Sequence, residues 1–259
     1  MEDAMERLFK ELLRIIVAIG IASAAGVSPA ADAGRWTYAG ATGPAKWSTL
    51  EKSFALCKQG TTQSPIDIPD AEARKGDLAS LLFNYKPTPL KIIDDGHTIQ
   101  VNYAPGSFLI VGGSQYELVE FRFHRPGEEK ISGKAHDMEA DLVHRDKDGK
   151  VAIVAVLLDE GKENALIKTL WSNLPQDKGK EHVLDAVKIN ALGLLPQKKD
   201  YYTFAGSLTT PPCTENVTWF VLKNPTQVSA DQIARFAKVY PMNARPIQPL
   251  NSRDIQGTR

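Results

Sequence analysis

The sequence has few cysteines and histidines, and neither sign of charge is in excess. Of its 259 residues, two are cysteine and five are histidine, and 31 Lys and Arg balance 31 Asp and Glu. This balance excludes a partner bound mainly by electrostatic attraction, such as nucleic acid or an anionic membrane surface. The chain also lacks a phosphate-binding loop, a dinucleotide fingerprint and internal repeats, so neither a nucleotide enzyme nor a repeat protein is indicated.

The composition is that of a globular chain, with 42% hydrophobic and 24% charged residues. Residues 34–259 contain no linker, which favours a single domain over two small ones. Runs of β-type residues predict strands at 98–103, 107–111, 116–124, 138–144, 151–158 and 217–222. Helical spacing is found chiefly at 161–172 and at 229–238, the latter opening with a Ser229 cap. The predicted fold class is therefore mainly β, a large and mostly antiparallel sheet with a few peripheral helices.

Residues 1–33 differ from the rest of the chain. No charged residue occurs between 15 and 31, a stretch shorter than the roughly 20 apolar residues of a membrane span, and it ends at an Ala-Asp-Ala cleavage motif. This pattern predicts a signal peptide and a periplasmic or secreted protein. The first 14 residues carry four acidic and three basic side chains, which is atypical of an export signal. The alternative is an uncleaved amphipathic or apolar helix, which would then provide the contact with a membrane.

The two cysteines, Cys57 and Cys213, lie far apart in the sequence. In an exported protein an even number of cysteines suggests a disulfide bond. Closing so long a loop would stabilise the fold by about 5 kcal/mol in the chain-entropy description. The alternative, on these residues alone, is a pair of buried, reduced thiols.

The predicted strands at 116–124 and 138–144 carry most of the polar pattern. Because strand side chains alternate between faces, one face of the first strand is apolar and holds Val119, Phe121 and Phe123. Its other face holds an acid, a guanidinium and an imidazole, namely Glu120, Arg122 and His124. In the second strand the same alternation groups Glu139, Asp141 and Val143. Periodicity alone leaves two interpretations, a solvated outer face or a functional site.

Motifs along the chain favour a functional site. They comprise Trp36, Tyr38, Gly40, Gly43, Pro44 and Trp47, then QSPIDI at 63–68, DGH at 95–97, GSLTTPPC at 206–213, VTW at 217–219, Asn243 and Arg245-Pro246. In this order they resemble the α-class carbonic anhydrases over about residues 35–250. The resemblance implies that family's fold, a largely antiparallel sheet of about ten strands with a conical active-site cleft. It also implies the Cys57–Cys213 disulfide of exported bacterial members.

The resemblance further implies reversible hydration of CO2 to bicarbonate by a zinc-bound hydroxide, with the zinc held by three histidines. A catalytic zinc of this type needs three protein ligands and one open position for water. The matching positions in this chain are Arg122, His124 and Asp141, so His124 alone keeps the family's ligand. Aspartate can bind zinc, whereas arginine stays protonated and offers only donors.

These substitutions predict that zinc is absent or weakly bound and that hydration activity is little or none. We expect Arg122 and Asp141 to form a bidentate ion pair that fills the metal position, with Glu120 and His124 as further acceptors. The alternative geometry has Arg122 turned out to solvent and Asp141 hydrated. The alternative function is an active periplasmic carbonic anhydrase with an altered metal site.

The resemblance assigns roles to other residues of the cleft. Thr209 would accept a hydrogen bond from the zinc hydroxide and donate one to Glu128, Thr210 would line the substrate site, and His97 would be the proton shuttle. Glu139 and Asn243 would support the metal ligands, and Glu120 replaces the family's usual glutamine beside Arg122. An apolar wall for CO2 would comprise Val143, Ile153, Leu208, Val217 and Trp219, which are also ordinary core residues. The expected ligand is CO2, bicarbonate or a small anion, whereas His136, His144 and His182 are interpreted as structural or surface residues.

Overall fold

The computed structural model describes residues 36–259, which form a sheet of 13 strands, a second sheet of two strands and a few short helices. The strands are β1 (Asp67–Ile68), β2 (Arg74–Gly76), β3 (Leu82–Asn84), β4 (Thr88–Asp94), β5 (Ile99–Asn102), β6 (Phe108–Val111), β7 (Ser114–His124), β8 (Lys130–Ile131), β9 (Met138–Arg145), β10 (Val151–Glu160), β11 (His182–Ile189), β12 (Tyr201–Ser207), β13 (Glu215–Leu222), β14 (Thr226–Val228) and β15 (Gln256–Thr258). The α-helices are α1 (Trp47–Leu50), α2 (Leu56–Gln59), α3 (Ala165–Ser172) and α4 (Ala230–Val239). Short 3₁₀ helices occupy Gly40–Thr42, Pro44–Lys46, Lys52–Phe54 and Ala191–Leu194.

The export or membrane segment predicted at 1–33 lies outside the described residues. Within residues 36–259, no helix is both long enough and apolar enough to cross a membrane.

The large sheet runs in the order β11-β4-β5-β7-β9-β10-β13-β12-β15-β2, with β14 paired to β10, and with β6 paired to both β3 and β7. Most neighbours are antiparallel, and the parallel pairs of this sheet are β10–β13, β10–β14 and β15–β2. The predicted fold class, mainly β with a few helices, is confirmed. The strand number exceeds the expected ten or so partly because β2, β3, β14 and β15 have only three residues each.

The predicted strands correspond to β5, β6, β7, β9, β10 and β13, with ends that agree within two residues. Helix α4 begins after Ser229 as predicted, because the Ser229 hydroxyl accepts the Gln232 N–H in a capping box. Helix α3 begins later than predicted, at Ala165 rather than Gly161. The Asn164 side chain accepts the Ile167 N–H, so this residue caps the helix and fixes its start.

A β-bulge in β7 changes one predicted face. Leu118 lies opposite His144 and Glu120 lies opposite Val143, so Val119 is an extra residue without a partner in the β7–β9 register. The prediction that Val119 shares the core face with Phe121 and Phe123 is therefore wrong. Val119 instead packs against the cluster that contains Val143, on the opposite side of the sheet. Beyond the bulge the predicted alternation holds, and Arg122 lies opposite Asp141.

Two apolar clusters cover the two faces of the sheet. The larger contains Phe121, Phe123 and Leu142, with Trp171 of α3 and Phe236 of α4 packed against them. All five predicted wall residues belong to the second cluster, namely Val143, Ile153, Leu208, Val217 and Trp219. The polar face of β7 and β9 therefore lies on the side of the second cluster.

Cys57 of α2 and Cys213 form a disulfide, as the resemblance implies. Both cysteines lie in a third cluster, together with Trp36, Trp47 and Phe54. The bond joins residues separated by 156 positions. It thereby links the N-terminal helices to the segment that follows β12.

We expect the pair of substitutions Cys57→Ala and Cys213→Ala to lower the free energy of unfolding by about 5 kcal/mol, because the unfolded chain regains the entropy of an open loop. Urea unfolding followed by circular dichroism would measure this loss. The wild-type chain under reducing conditions is the control and should show a similar loss. A loss below about 1 kcal/mol in both would contradict this account.

His144 is buried in the core, where its Nε2 lies 2.6 Å from the Tyr85 hydroxyl. His136 is also buried and lies 2.7 Å from an Asp159 carboxylate oxygen, whereas His182 is partly exposed on β11. These positions agree with the structural and surface roles expected for the three residues. Burial lowers the pKa of His144 from 6.5 to about 4.

This depressed pKa predicts a pH dependence of stability. Between pH 6.5 and about 4 the unfolded chain binds a proton at His144 that the folded chain does not, so acidification favours unfolding. We expect His144 to remove up to about 3 kcal/mol of stability across this range. A His144→Gln variant cannot titrate there, and its unfolding free energy should fall less on acidification. Equal pH slopes for variant and wild type in urea unfolding would refute the prediction.

Candidate functional site

Adjacent strands bring the three family ligand positions together. Arg122 and His124 lie two residues apart on β7, and they lie opposite Asp141 and Glu139 of β9 respectively. The side chains of His124, Glu139 and Asp141 are almost fully buried. The polar face that alternation predicts on these two strands is therefore a buried polar site and not a solvated outer face.

The imidazole of His124 is oriented by the backbone. Its Nδ1 lies 2.8 Å from the carbonyl oxygen of Asn243, so the neutral ring donates from Nδ1 and keeps a lone pair on Nε2. Nε2 has no hydrogen-bond partner among residues 36–259 and lies 3.6 Å from Asp141 Oδ2. Burial raises the pKa of Asp141 to about 6, although the charge of Arg122 acts in the opposite direction. His124 therefore presents a metal-binding nitrogen toward a single carboxyl group.

Arg122 forms its ion pair with Glu120 and not with Asp141. Its guanidinium also donates to Gln100 Oε1 over 3.4 Å. The predicted bidentate pair with Asp141 is therefore wrong. Glu120 shares a face of β7 with Arg122. Gln100 of β5 is the register partner of Arg122, so the guanidinium turns toward β5. The alternative of an arginine turned out to solvent is not observed either, since the side chain is only 23% exposed.

The guanidinium remains a cation inside the cleft. Burial acts to lower the pKa of Arg122, but the carboxylate of Glu120 raises it above its ordinary value. The positive charge in turn acts to lower the pKa of His124, Glu128 and Asp141, although burial raises the pKa of the two acids overall. Its field therefore acts on the residues that face the metal position.

Glu128 lies close to Thr209 and to the backbone of Arg245. The Glu128 Oε1 accepts the backbone N–H of Arg245 over 2.6 Å. Burial raises the pKa of Glu128 to about 7, while hydrogen bonds from Arg245 and the Thr209 side chain act to lower it. Thr210 follows in the same loop, where its carbonyl accepts the N–H of Cys213. The structure therefore brings Thr209 to Glu128, next to His124.

Glu139 and Asn243 hold the backbone around the site. Oε2 of Glu139 accepts the N–H groups of Glu128 and Glu129 over 2.7 and 2.9 Å. The Asn243 amide donates to the carbonyls of His97 and Phe123, over 3.0 and 2.9 Å. These contacts fix the ends of β7 and β9 relative to the loop of His97.

His97 lies in the turn between β4 and β5 and is almost fully buried. Its ring stacks on Trp36 with centroids 3.6 Å apart and an interplanar angle of 7°. Burial lowers its pKa, so the neutral imidazole is favoured. Nε2 is buried and has no hydrogen-bond partner among the described residues.

Sequence reasoning missed three residues of the site. Gln100 accepts a hydrogen bond from Arg122, Tyr38 has a buried hydroxyl near Arg122, and Glu129 is a buried acid next to Glu128 in the chain. The family motifs include Tyr38 but gave it no role. Neither Gln100 nor Glu129 belongs to a family motif. Gln100 reaches the site through the pairing of β5 with β7, and Glu129 reaches it through the turn after β7.

The residues at the site do not fit the family's catalytic zinc. His124, Glu128 and Asp141 have potential ligand atoms within 4.8 Å of one another. However, Glu128 Oε2 lies 3.5 Å from His124 Nδ1, the nitrogen bonded to Asn243, whereas Asp141 faces Nε2. An ion on Nε2 would therefore meet one carboxylate instead of two further imidazoles, with the charge of Arg122 nearby.

Comparisons with known proteins identify the fold and the family. The model of the eukaryotic-type carbonic anhydrase family matches residues 42–259. A carbonic anhydrase of Nostoc sp. is 42% identical over 221 residues, covering 84% of each chain. A hyperthermostable carbonic anhydrase from a hydrothermal vent chimney superposes with a TM-score of 0.83 at 45% identity, covering 86% of this chain and 100% of that one.

The carbonic anhydrase of Thermovibrio ammonificans, solved with sulfanilamide, gives a TM-score of 0.82 at 38% identity and covers 86% of this chain and 98% of that one. Both the sequence and the fold therefore agree over nearly all of the described residues. The chain belongs to the eukaryotic-type, or α-class, carbonic anhydrase family.

Proposed function

We propose that this chain is an exported carbonic anhydrase family member that lacks zinc and has little or no CO2 hydration activity. The supporting observation is that Arg122 is a partly buried cation at a ligand position, held there by Glu120. A guanidinium about 4 Å from a divalent ion would cost several kcal/mol even at an effective dielectric constant of 20. The hydration reaction of the family needs the bound water that zinc activates.

The rest of the cleft supports binding of a small ligand. Val143, Val217 and Trp219 still form an apolar wall, and Thr209 still contacts Glu128. These features suit CO2, bicarbonate or another small anion, with Arg122 as the positive group. His97, Thr210 and Asn243 would keep their family places around this ligand. The disulfide agrees with export to an oxidising compartment.

The second candidate is an active enzyme with an altered metal site. It is supported by the proximity of His124, Glu128 and Asp141. It would require the carboxylate of Glu128 to leave the Nδ1 side of His124 and Arg122 to move away from the ion.

We expect the purified chain, dialysed against zinc and then against metal-free buffer, to contain less than about 0.1 zinc per chain, because one imidazole and one carboxylate are too few ligands for a catalytic zinc. Plasma mass spectrometry would measure the metal, and stopped-flow CO2 hydration should give the background rate. About one zinc per chain, together with hydration that a sulfonamide inhibits, would favour the second candidate.

We expect the double variant Arg122→His with Asp141→His to bind about one zinc per chain and to hydrate CO2 above background, because it restores three imidazoles within an intact framework. The same double variant with an added Thr209→Ala is the control, and it should bind zinc but hydrate CO2 more slowly. A metal-free double variant would show that other parts of the cleft have also changed.

A further inference from the structure

Two lysines share one tyrosine ring near the edge of the large sheet that ends in β2. Lys75 of β2 and Lys223, which follows β13, place their Nζ atoms 4.7 and 4.5 Å from the ring centroid of Tyr202. Tyr202 lies on β12 and is only 3% exposed. In strand order, β9, β10 and β13 lie between β7 and β12, so this lysine pair is separate from the polar site on β7 and β9.

Gly257 makes room for the two amines. In the register of the sheet, Gly257 of β15 lies between Tyr202 on β12 and Lys75 on β2. A Cβ at Gly257 would lie 3.1 Å from Tyr202 Cδ1 and 3.4 Å from Lys223 Nζ. A larger residue would therefore compete with the amine of Lys223 for the space beside the ring.

The two amines have different partners. The ammonium of Lys75 forms an ion pair with Asp70, which also accepts a hydrogen bond from the Tyr202 hydroxyl. Lys223 donates to the carbonyl oxygen of Thr258 over 2.6 Å and forms no ion pair among residues 36–259. Lys223 is therefore a cation beside another cation, without a carboxylate partner of its own.

These surroundings favour the neutral amine of Lys223. Partial burial and the charge of Lys75 lower the pKa of Lys223, whereas Asp70 and Asp200 act to raise it. A lysine amine is nucleophilic only when it is neutral, and a neighbouring cation is one of the means by which proteins activate it. Lys223 is also partly exposed, so a small electrophile reaches it from solvent.

We propose that Lys223 is a reactive lysine that binds CO2 covalently as a carbamate. The neutral Nζ attacks the carbon of CO2, an N–C bond forms, one C=O electron pair moves to oxygen, and the nitrogen releases a proton to solvent. The product keeps one N–H for the carbonyl of Thr258, and its new carboxylate pairs with the ammonium of Lys75. This pairing favours CO2 over electrophiles that leave a neutral adduct. The carbamate forms without zinc, so the inference does not depend on the proposed function.

The test is carbamate trapping on the intact chain. The protein is equilibrated with isotopically labelled bicarbonate and CO2, treated with triethyloxonium to convert carbamates to stable ethyl esters, and digested for mass spectrometry. We expect at least about threefold more label on Lys223 than on the exposed Lys198, because a lowered pKa leaves more neutral amine. A Lys223→Arg variant keeps the cation and should lose this label. Label on Lys223 no higher than on Lys198 would overturn the proposal.

Two further variants should change the label on Lys223 in opposite directions. Lys75→Met removes both the neighbouring cation and the partner of the carbamate, so we expect at least about a threefold decrease. Asp70→Asn removes a carboxylate that raises the pKa of Lys223 and frees Lys75 for the carbamate, so we expect about a twofold increase. Equal label in the wild type and both variants would show that the cluster does not activate Lys223, and the proposal would fall.

Circular dichroism and thermal unfolding check that each variant folds. If Lys75→Met does not fold, Lys75→Gln removes the same charge and keeps a polar side chain, and its label is compared in the same way. Zinc content and CO2 hydration are not read out in this experiment. Its failure therefore leaves the proposed function unchanged, and metal in the wild-type chain would leave the carbamate result unchanged.

Discussion

Arg122 and Glu120 form an ion pair inside the cleft, on one face of β7 and beside Gln100 of β5. A guanidinium is a permanent cation that offers only donors, so this pair places a fixed positive charge where the family has a metal ligand. The charge acts to lower the pKa of His124, Glu128 and Asp141 around it, against the effect of burial on the two acids. The electrostatics of the cleft therefore depend on how Arg122 is held, and Glu120 and Gln100 hold it on the β5 side.

The acids behind Arg122 show how the site balances its charge. Glu128, Glu129, Glu139 and Asp141 are all buried, and burial raises the pKa of each. Burying unpaired carboxylates costs far more than burying neutral carboxyl groups, so protonation is the route by which such a cluster is tolerated. The acids of the site are thus accommodated in two ways: Glu120 pairs with a guanidinium, and burial shifts the deeper acids toward their neutral forms.

The parts of the fold that local sequence rules govern were predictable, and those that depend on strand order were not. Alternation placed Glu120, Arg122 and His124 on one face of β7, and a Ser229 cap fixed the start of α4. The bulge at Val119 and the partner of Arg122 depend on neighbouring strands, so periodicity could not reveal them. The Cys57–Cys213 disulfide and the apolar wall of the cleft were predicted from the family resemblance and not from the spacing of residues. To predict that Arg122 pairs with Glu120 and not with Asp141, one would need the β5–β7 register, which places Gln100 opposite Arg122.

The framework of the site does not depend on a metal ion. The Asn243 carbonyl orients His124, Glu139 fixes the turn at Glu128 through two N–H groups, and Asn243 also holds the loop of His97. Contacts that orient metal ligands in this way are made to the backbone, and strand pairing and two apolar clusters keep that backbone in place. These contacts leave the position of Arg122 out of the framework, since none of them is made by its side chain. They place His124 Nε2 and Asp141 Oδ2 3.6 Å apart in a chain whose third ligand position carries a cation.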